Sequence, residues 1–245
     1  MRDSARGTVV FLTTALVLHG LLLWPHVSDT RFDFDAVHLY FPLASELLAE
    51  GLKFFSAERS LQAPPFSYIY PALLGATLPA VKHANFAISF VTLLLVFRIA
   101  WLAHSRVAAI AATLLFAASP LLRPFLAAPL TEPPFLLLCA AWMWALGEWF
   151  ASGRRIFPVI AGIALGLAVL TRGTLFYLPV FLVGVFAWLS WRRSAEIQKA
   201  QARGALAAHL IALSFPLLFI AKNWLLFSFP FFATGAGNAL YLGNN

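Results

Sequence analysis

The chain of 245 residues has one cysteine, Cys139, and very little charge. A single thiol excludes an intrachain disulfide and any cysteine-based metal cluster. Charged residues make up 11%, less than half the roughly 25% of an ordinary soluble domain. That is too little to build a water-exposed surface, so a soluble enzyme is excluded, as is a disordered tail. Acidic residues are the scarcer sign, ten Asp and Glu against seventeen Lys and Arg. Internal repeats and low-complexity tracts are also missing. What is present is apolar: 61% hydrophobic residues, 24 Phe and 8 Trp, with a mean hydropathy of +0.83. This composition suits a lipid-embedded chain with aromatic rings at its interfaces. The net charge of +7 fits nucleic acid, anionic lipid or membrane orientation, and the placement of the charges decides among them.

A membrane-spanning helix needs about 20 mostly apolar residues. Seven stretches qualify: 8–25, 84–103, 107–122, 133–150, 156–171, 174–191 and 205–221. The first follows Arg2 and Arg6 like a signal peptide, but no small-x-small cleavage site follows Trp24-Pro25, so it reads as a retained anchor. Segment 66–81 is apolar but short and carries Pro71, Gly75 and Pro79. Left as a re-entrant or interfacial helix, it gives an inside N-terminus and nine basic residues in the 28 positions of the inner segments. The outer segments then hold seven in 94. This asymmetry is the positive-inside pattern. Acidic residues split the other way, seven outside and two inside, so the outer face is neutral and the whole excess of +7 is cytoplasmic. The excess therefore reports orientation. The basic residues form short clusters beside the spans, not a stripe interleaved with aromatics, so nucleic-acid binding is disfavoured. The expected fold is an all-α membrane protein of about seven transmembrane helices.

One long loop, 26–83, lies outside in this reading, with interfacial helices inside it. It carries Asp33 and Asp35, then His38 and Tyr40 in an Ala-x-His-x-Tyr run. A short helix over 42–50 follows, with Pro42 in its first turn, Gly51 as its C-terminal cap, and Leu43, Leu47 and Leu48 on one side. Three more polar points face the same way: Glu132 ahead of the fourth span, Arg172 in the turn after the fifth, and Lys222-Asn223 after the seventh. Singly, each is an ordinary interfacial anchor or turn residue, and the two carboxylates fit a solvated acidic loop. Together they bring carboxylates and cations to one membrane edge, where ionisable groups are candidates for substrate contact.

The ordered series DFDAVHLYFPLASELLAEG, PPFSYIYPALLG, TEPPFLLL, GIALGLAVLTRGTLFYLP and KNWLLFSFPFFATGAGNALYLGNN covers nearly the whole chain. It resembles the N-terminal part of the polyprenyl-phosphate-sugar-dependent membrane glycosyltransferases of the GT-C fold. These include the bacterial relatives of the protein O-mannosyltransferases and the aminoarabinose transferases, families 39 and 83. The resemblance implies a single GT-C-like domain over 1–245, incomplete at its C-terminus, in a bacterial inner membrane with its active site on the periplasmic face. It implies a polyprenyl-phosphate sugar as donor, membrane lipids as surroundings, and a lipid, glycan or protein as acceptor. A loop Asp then acts as general base, with Asp35 the first choice and Asp33 the second; many relatives have two adjacent acids where Phe34 separates these. Arg172, Lys222 and Arg59 are the candidate cations for the leaving phosphate. Glu132 is placed to orient the sugar or to help hold a divalent cation, the metal itself being unassigned. His38, Tyr40, Tyr70 and Asn223 complete the candidate substrate-binding set.

Two other classes fit the composition. A transporter or flippase of lipid-linked substrates needs ionisable groups at mid-membrane, and the spans offer only His19 and His209 away from their ends. A truncated, non-catalytic membrane protein is the third reading.

Overall fold

A computed structural model describes residues 2–29, 36–193 and 195–231. Among the described residues the regular structure is helical and no strand forms. Ten α-helices follow one another: α1 (Arg2–Val27), α2 (Phe41–Glu50), α3 (Pro65–Leu73), α4 (Leu78–Ala103), α5 (Arg106–Ala118), α6 (Arg123–Ala127), α7 (Glu132–Ser152), α8 (Ile156–Thr171), α9 (Tyr177–Arg192) and α10 (Glu196–Phe227).

Proline sets several starts. Pro42, Pro65, Pro79, Pro124 and Pro133 lie in first turns, where the missing N–H has no intrahelical partner to lose. Ser105 caps α5, its Oγ accepting from the Ala108 N–H at 3.2 Å. Gly51 (φ +59°) and Gly153 (φ +67°) end α2 and α7 in positive-φ conformations that favour glycine.

Among the described residues five helical segments are long and apolar enough to cross a membrane: Gly7–Val27, Leu78–Ala103, Glu132–Ser152, Gly173–Arg192 and Glu196–Phe227. The other two expected spans fall on shorter helices. Ser119-Pro120 stops α5 after 13 residues, and α8 has 16. Ten residues of α8 are buried, including Ala161, Leu165, Ala168 and Val169, so this short helix is the centre of the bundle. Segment 66–81 is not one helix. It contains most of α3, then a break at Gly75 (φ +75°) and Ala76 (φ +51°), then the first turn of α4.

Cross-helix contacts fix which ends lie together. Down α1, Asp29 O accepts from Lys82 Nζ at 2.9 Å, His19 Nε2 lies 3.0 Å from Ser89 Oγ, and Phe11 meets Phe97 at 6.2 Å. Thus α1 and α4 are antiparallel. Gly162 of α8 faces Ala208 and Ile211 of α10, and Gly166 faces Ala212 and Phe215. The two sets of numbers rise together, so α8 and α10 run parallel. One end of the bundle therefore holds Asp29, Lys82, Glu132, Arg172 and Lys222. The opposite end holds Gly7, Arg106, Ser152, Ile156, Arg192 and Glu196.

A small separate core packs above α8. Leu43 and Ala44 of α2, Phe54 of a 3-10 turn (Gly51–Ser56), and Tyr68 and Ala72 of α3 are buried together. Leu47 packs against this cluster, but Leu48 is 55% exposed. The leucines of α2 thus do not share one face: the helix turns Leu43 and Leu47 inward at i and i+4, and Leu48 outward.

Candidate active site

Helix ends build the site. Glu132 is the first residue of α7, and Arg172 follows the last turn of α8. Antiparallel packing of the two helices brings Arg172 Nη2 to 2.5 Å from Glu132 Oε1. The Arg172 guanidinium also lies 5.7 Å above the Phe135 ring. It is 44% exposed, so donors remain free for an outside anion.

Lys222 lies on the same side, in the last turns of α10, which runs past the expected span end at 221 to Phe227. Its ammonium donates to Phe55 O at 3.1 Å and Ser60 Oγ at 3.3 Å. Three rings surround it, Phe55 and Phe219 at 5.8 Å and Phe227 at 5.5 Å. No carboxylate among the described residues pairs with this half-buried cation. Its neighbour Asn223 is fully buried and donates Nδ2–H to Phe231 O at 2.6 Å, which fixes the chain reversal after α10 at Ser228.

Arg59 has a different setting. Its Nε lies 2.8 Å from Glu46 Oε2, and Nη2 pairs with Glu50 Oε1. The hydrogen bond to Glu50, aided by the charge of Glu46, holds this guanidinium above its ordinary pKa. Two carboxylates already balance it. Tyr70 is also engaged, its hydroxyl donating to Asn85 Oδ1 at 2.7 Å. Burial pushes this phenol's pKa well above its usual value, so Tyr70 stays a protonated donor. His38, exposed, and Tyr40, partly buried, stand on a π-helical turn (Ala36–Tyr40) that leads into α2. Asp33 and Asp35 lie outside the described residues.

Asn85 is the residue that sequence reasoning missed. It is fully buried in α4 and donates Nδ2–H to Ala128 O at 2.5 Å and Leu130 O at 3.3 Å. It therefore holds the irregular backbone leading to Thr131 and Glu132, with Tyr70 bracing it from α3. The only signal in the sequence is an amide at the start of a long apolar run.

Among the described residues no group of three His, Cys, Asp or Glu side chains is placed to hold a metal ion. The two mid-bundle histidines are packed into the fold: His19 beside Ser89 and Phe90, and His209 between Phe186 and Trp142 with Nδ1 2.7 Å from Ala205 O.

The model of the dolichyl-phosphate-mannose-protein mannosyltransferase family matches residues 64–235. The chain belongs to this family. The matched stretch begins at α3 and runs beyond α10, so it takes in Tyr70, Asn85, Glu132, Arg172, Lys222 and Asn223. Arg59 and the first-loop acids precede it. This mannosyltransferase family is a membrane glycosyltransferase family of the GT-C type, and its member here is an integral membrane protein with an all-helical fold. No curated protein and no solved structure matches the chain.

Proposed function

We propose that this mannosyltransferase-family protein transfers a sugar from a polyprenyl-phosphate donor to a lipid, glycan or protein acceptor. Transfer takes place on the extracytoplasmic face of a bacterial inner membrane, at the bundle end that carries Glu132, Arg172 and Lys222. The observation that carries the reading is Lys222, a half-buried ammonium set among rings with no carboxylate among the described residues to balance it. A cation held out of water is best stabilised by an anion brought to it. The phosphate of a lipid-linked sugar is such an anion, and its polyprenyl chain lies naturally in the surrounding bilayer.

The acceptor hydroxyl attacks the anomeric carbon while a first-loop carboxylate, Asp35 or Asp33, takes its proton. The bond to the donor phosphate breaks, and the polyprenyl phosphate leaves as a stable anion that needs no general acid. Lys222 and the free donors of Arg172 stabilise the charge that grows on that phosphate. Glu132 holds Arg172 in place and reaches the sugar side of the site. A single displacement inverts the anomeric centre.

Purified protein given labelled polyprenyl-phosphate sugar and membrane acceptors is expected to transfer label. Lys222→Met removes a charge-assisted hydrogen bond and should raise the donor KM by roughly ten- to a hundred-fold. Asp35→Asn or Asp33→Asn should lower kcat without that KM change. Unchanged rates in both Asp variants would remove the proposed base, and an unchanged KM in Lys222→Met would remove the phosphate contact.

A further inference from the structure

At the opposite end of the bundle, α7, α9 and α10 enclose a cleft of about 290 Å3. Its lining is ordered along the bundle axis. Phe186 and Leu189 lie one turn apart on α9 and Arg193 is the residue that follows its last turn, so the wall changes from aromatic to aliphatic to guanidinium towards the bundle end. Gln198 and Gln201 form the polar side on α10, with Phe150 of α7 opposite. Two interhelical hydrogen bonds hold the walls together: Trp149 Nε1–H to Gln201 O at 2.9 Å, and Gln201 Nε2–H to Phe150 O at 3.0 Å. Stacking of Phe186 on His209 at 5.2 Å fixes the apolar floor.

Charge at the rim is uncompensated. Arg193 touches only a neutral partner, Gln198 Oε1 at 3.4 Å, and no carboxylate among the described residues pairs with it. Glu196, the one acid nearby on α10, is neutralised by Lys199 at 2.9 Å. The N-cap of α10 is Ala195, and among the described residues no side chain caps the first-turn N–H groups beside the cleft. Arg192 stands next in the chain to Arg193.

We propose that this cleft binds one anionic phospholipid, with its phosphodiester on Arg193 and the first turn of α10, and acyl chain against Leu189, Phe186 and Phe150. Basic pockets between helices at a membrane face bind anionic headgroups in this way, and each basic residue near the surface contributes roughly five-fold in affinity. The site is separate from the Glu132, Arg172 and Lys222 end and does not depend on the transfer chemistry proposed there.

Native mass spectrometry of the whole detergent-solubilised chain, titrated with phosphatidylglycerol or phosphatidylcholine of identical acyl chains, tests it. One phosphatidylglycerol should bind about five-fold or more tightly than phosphatidylcholine. Arg193→Gln should reduce that preference below about two-fold while phosphatidylcholine binding stays constant. Arg155→Gln alters an exposed basic residue at the same end but outside the cleft, and should leave the preference intact. Equal binding of the two lipids by the unmodified protein would overturn the proposal. So would an unchanged preference in Arg193→Gln, or equal loss in both variants, which would make the effect a diffuse surface charge.

Discussion

Asn85 shows how a single amide shapes the candidate site. It accepts from Tyr70 and donates to Ala128 and Leu130, so one side chain joins α3, α4 and the approach to Glu132. Asn85→Leu leaves a half-buried phenol and two carbonyls with a lost partner, each such loss costing about 1–3 kcal/mol when the group is kept from water. The expected result is a Tm drop measurable by thermal unfolding in detergent, with a secondary fall in transfer as Glu132 loses its support. Tyr70→Phe removes one hydrogen bond and should cost about 1 kcal/mol. If Tyr70 acts only through Asn85, its donor KM will not change; a raised KM would return Tyr70 to direct substrate contact. Residue chemistry was only partly legible. Glu132 and Arg172 stand out as charges flanking apolar runs, yet their pairing across 40 positions became visible only once α7 and α8 were packed. Asn85 was hidden because a lone amide barely interrupts the hydropathy of its run.

Helix packing rests on the two glycines of α8. A Cβ at Gly162 would lie 2.7 Å from Ala208 O and 2.7 Å from Ile211 Cβ; one at Gly166 would lie 2.5 Å from Phe215 Cδ2 and 3.1 Å from Ala212 O. Pro216 has no N–H to donate to Ala212, so that carbonyl lacks its helical partner at the point where Gly166 allows close approach. Gly162→Val forces α8 away from a backbone carbonyl and should destabilise by about 1–3 kcal/mol, as over-packed cores do. A Cβ at Gly184 in α9 would meet nothing within 4 Å. Gly184→Ala should therefore be neutral or stabilising by up to about 1 kcal/mol. Thermal unfolding of the two variants side by side checks the contrast, and equal effects would contradict the packing argument. Helix starts and stops at Pro42 and Gly51 were legible because proline and glycine act locally. The break at Gly75 and Ala76 and the outward turn of Leu48 depend on what α2, α3 and α8 bury, which hydropathy along one chain does not encode.

Across the whole molecule, the charge asymmetry and the packing give one account of direction. By rise per residue, α5 and α8 span only about 20 and 24 Å, against a hydrocarbon core of about 30 Å. Yet Arg172 after α8 meets Glu132 at the start of α7, and Asn85 near the start of α4 meets Ala128 and Leu130 after α5 and α6. The chain therefore returns along each short route to the end from which its long partner set out. For α8, burial of ten of its sixteen residues among other helices makes the shortfall tolerable. All nine basic residues of the inner segments then belong to one end of the bundle, and Glu132, Arg172 and Lys222 of the outer segments belong to the other. Cys139 is the only thiol, so a Cys139→Ala background permits a direct test with single cysteines at exposed positions, Ala151→Cys beside the basic end and Thr174→Cys beside Arg172. In intact cells a membrane-impermeant maleimide should label the Thr174→Cys protein and leave the Ala151→Cys protein unlabelled until the membrane is opened. The reverse pattern would invert the orientation and put the proposed transfer site in the cytoplasm, where a lipid-linked donor would have to be used before translocation. Labelling of both would show that α8 does not cross. The positive-inside bias predicts the first outcome because moving a cluster such as Arg154 and Arg155 across the bilayer is opposed, whereas the outer segments carry no net charge to resist translocation.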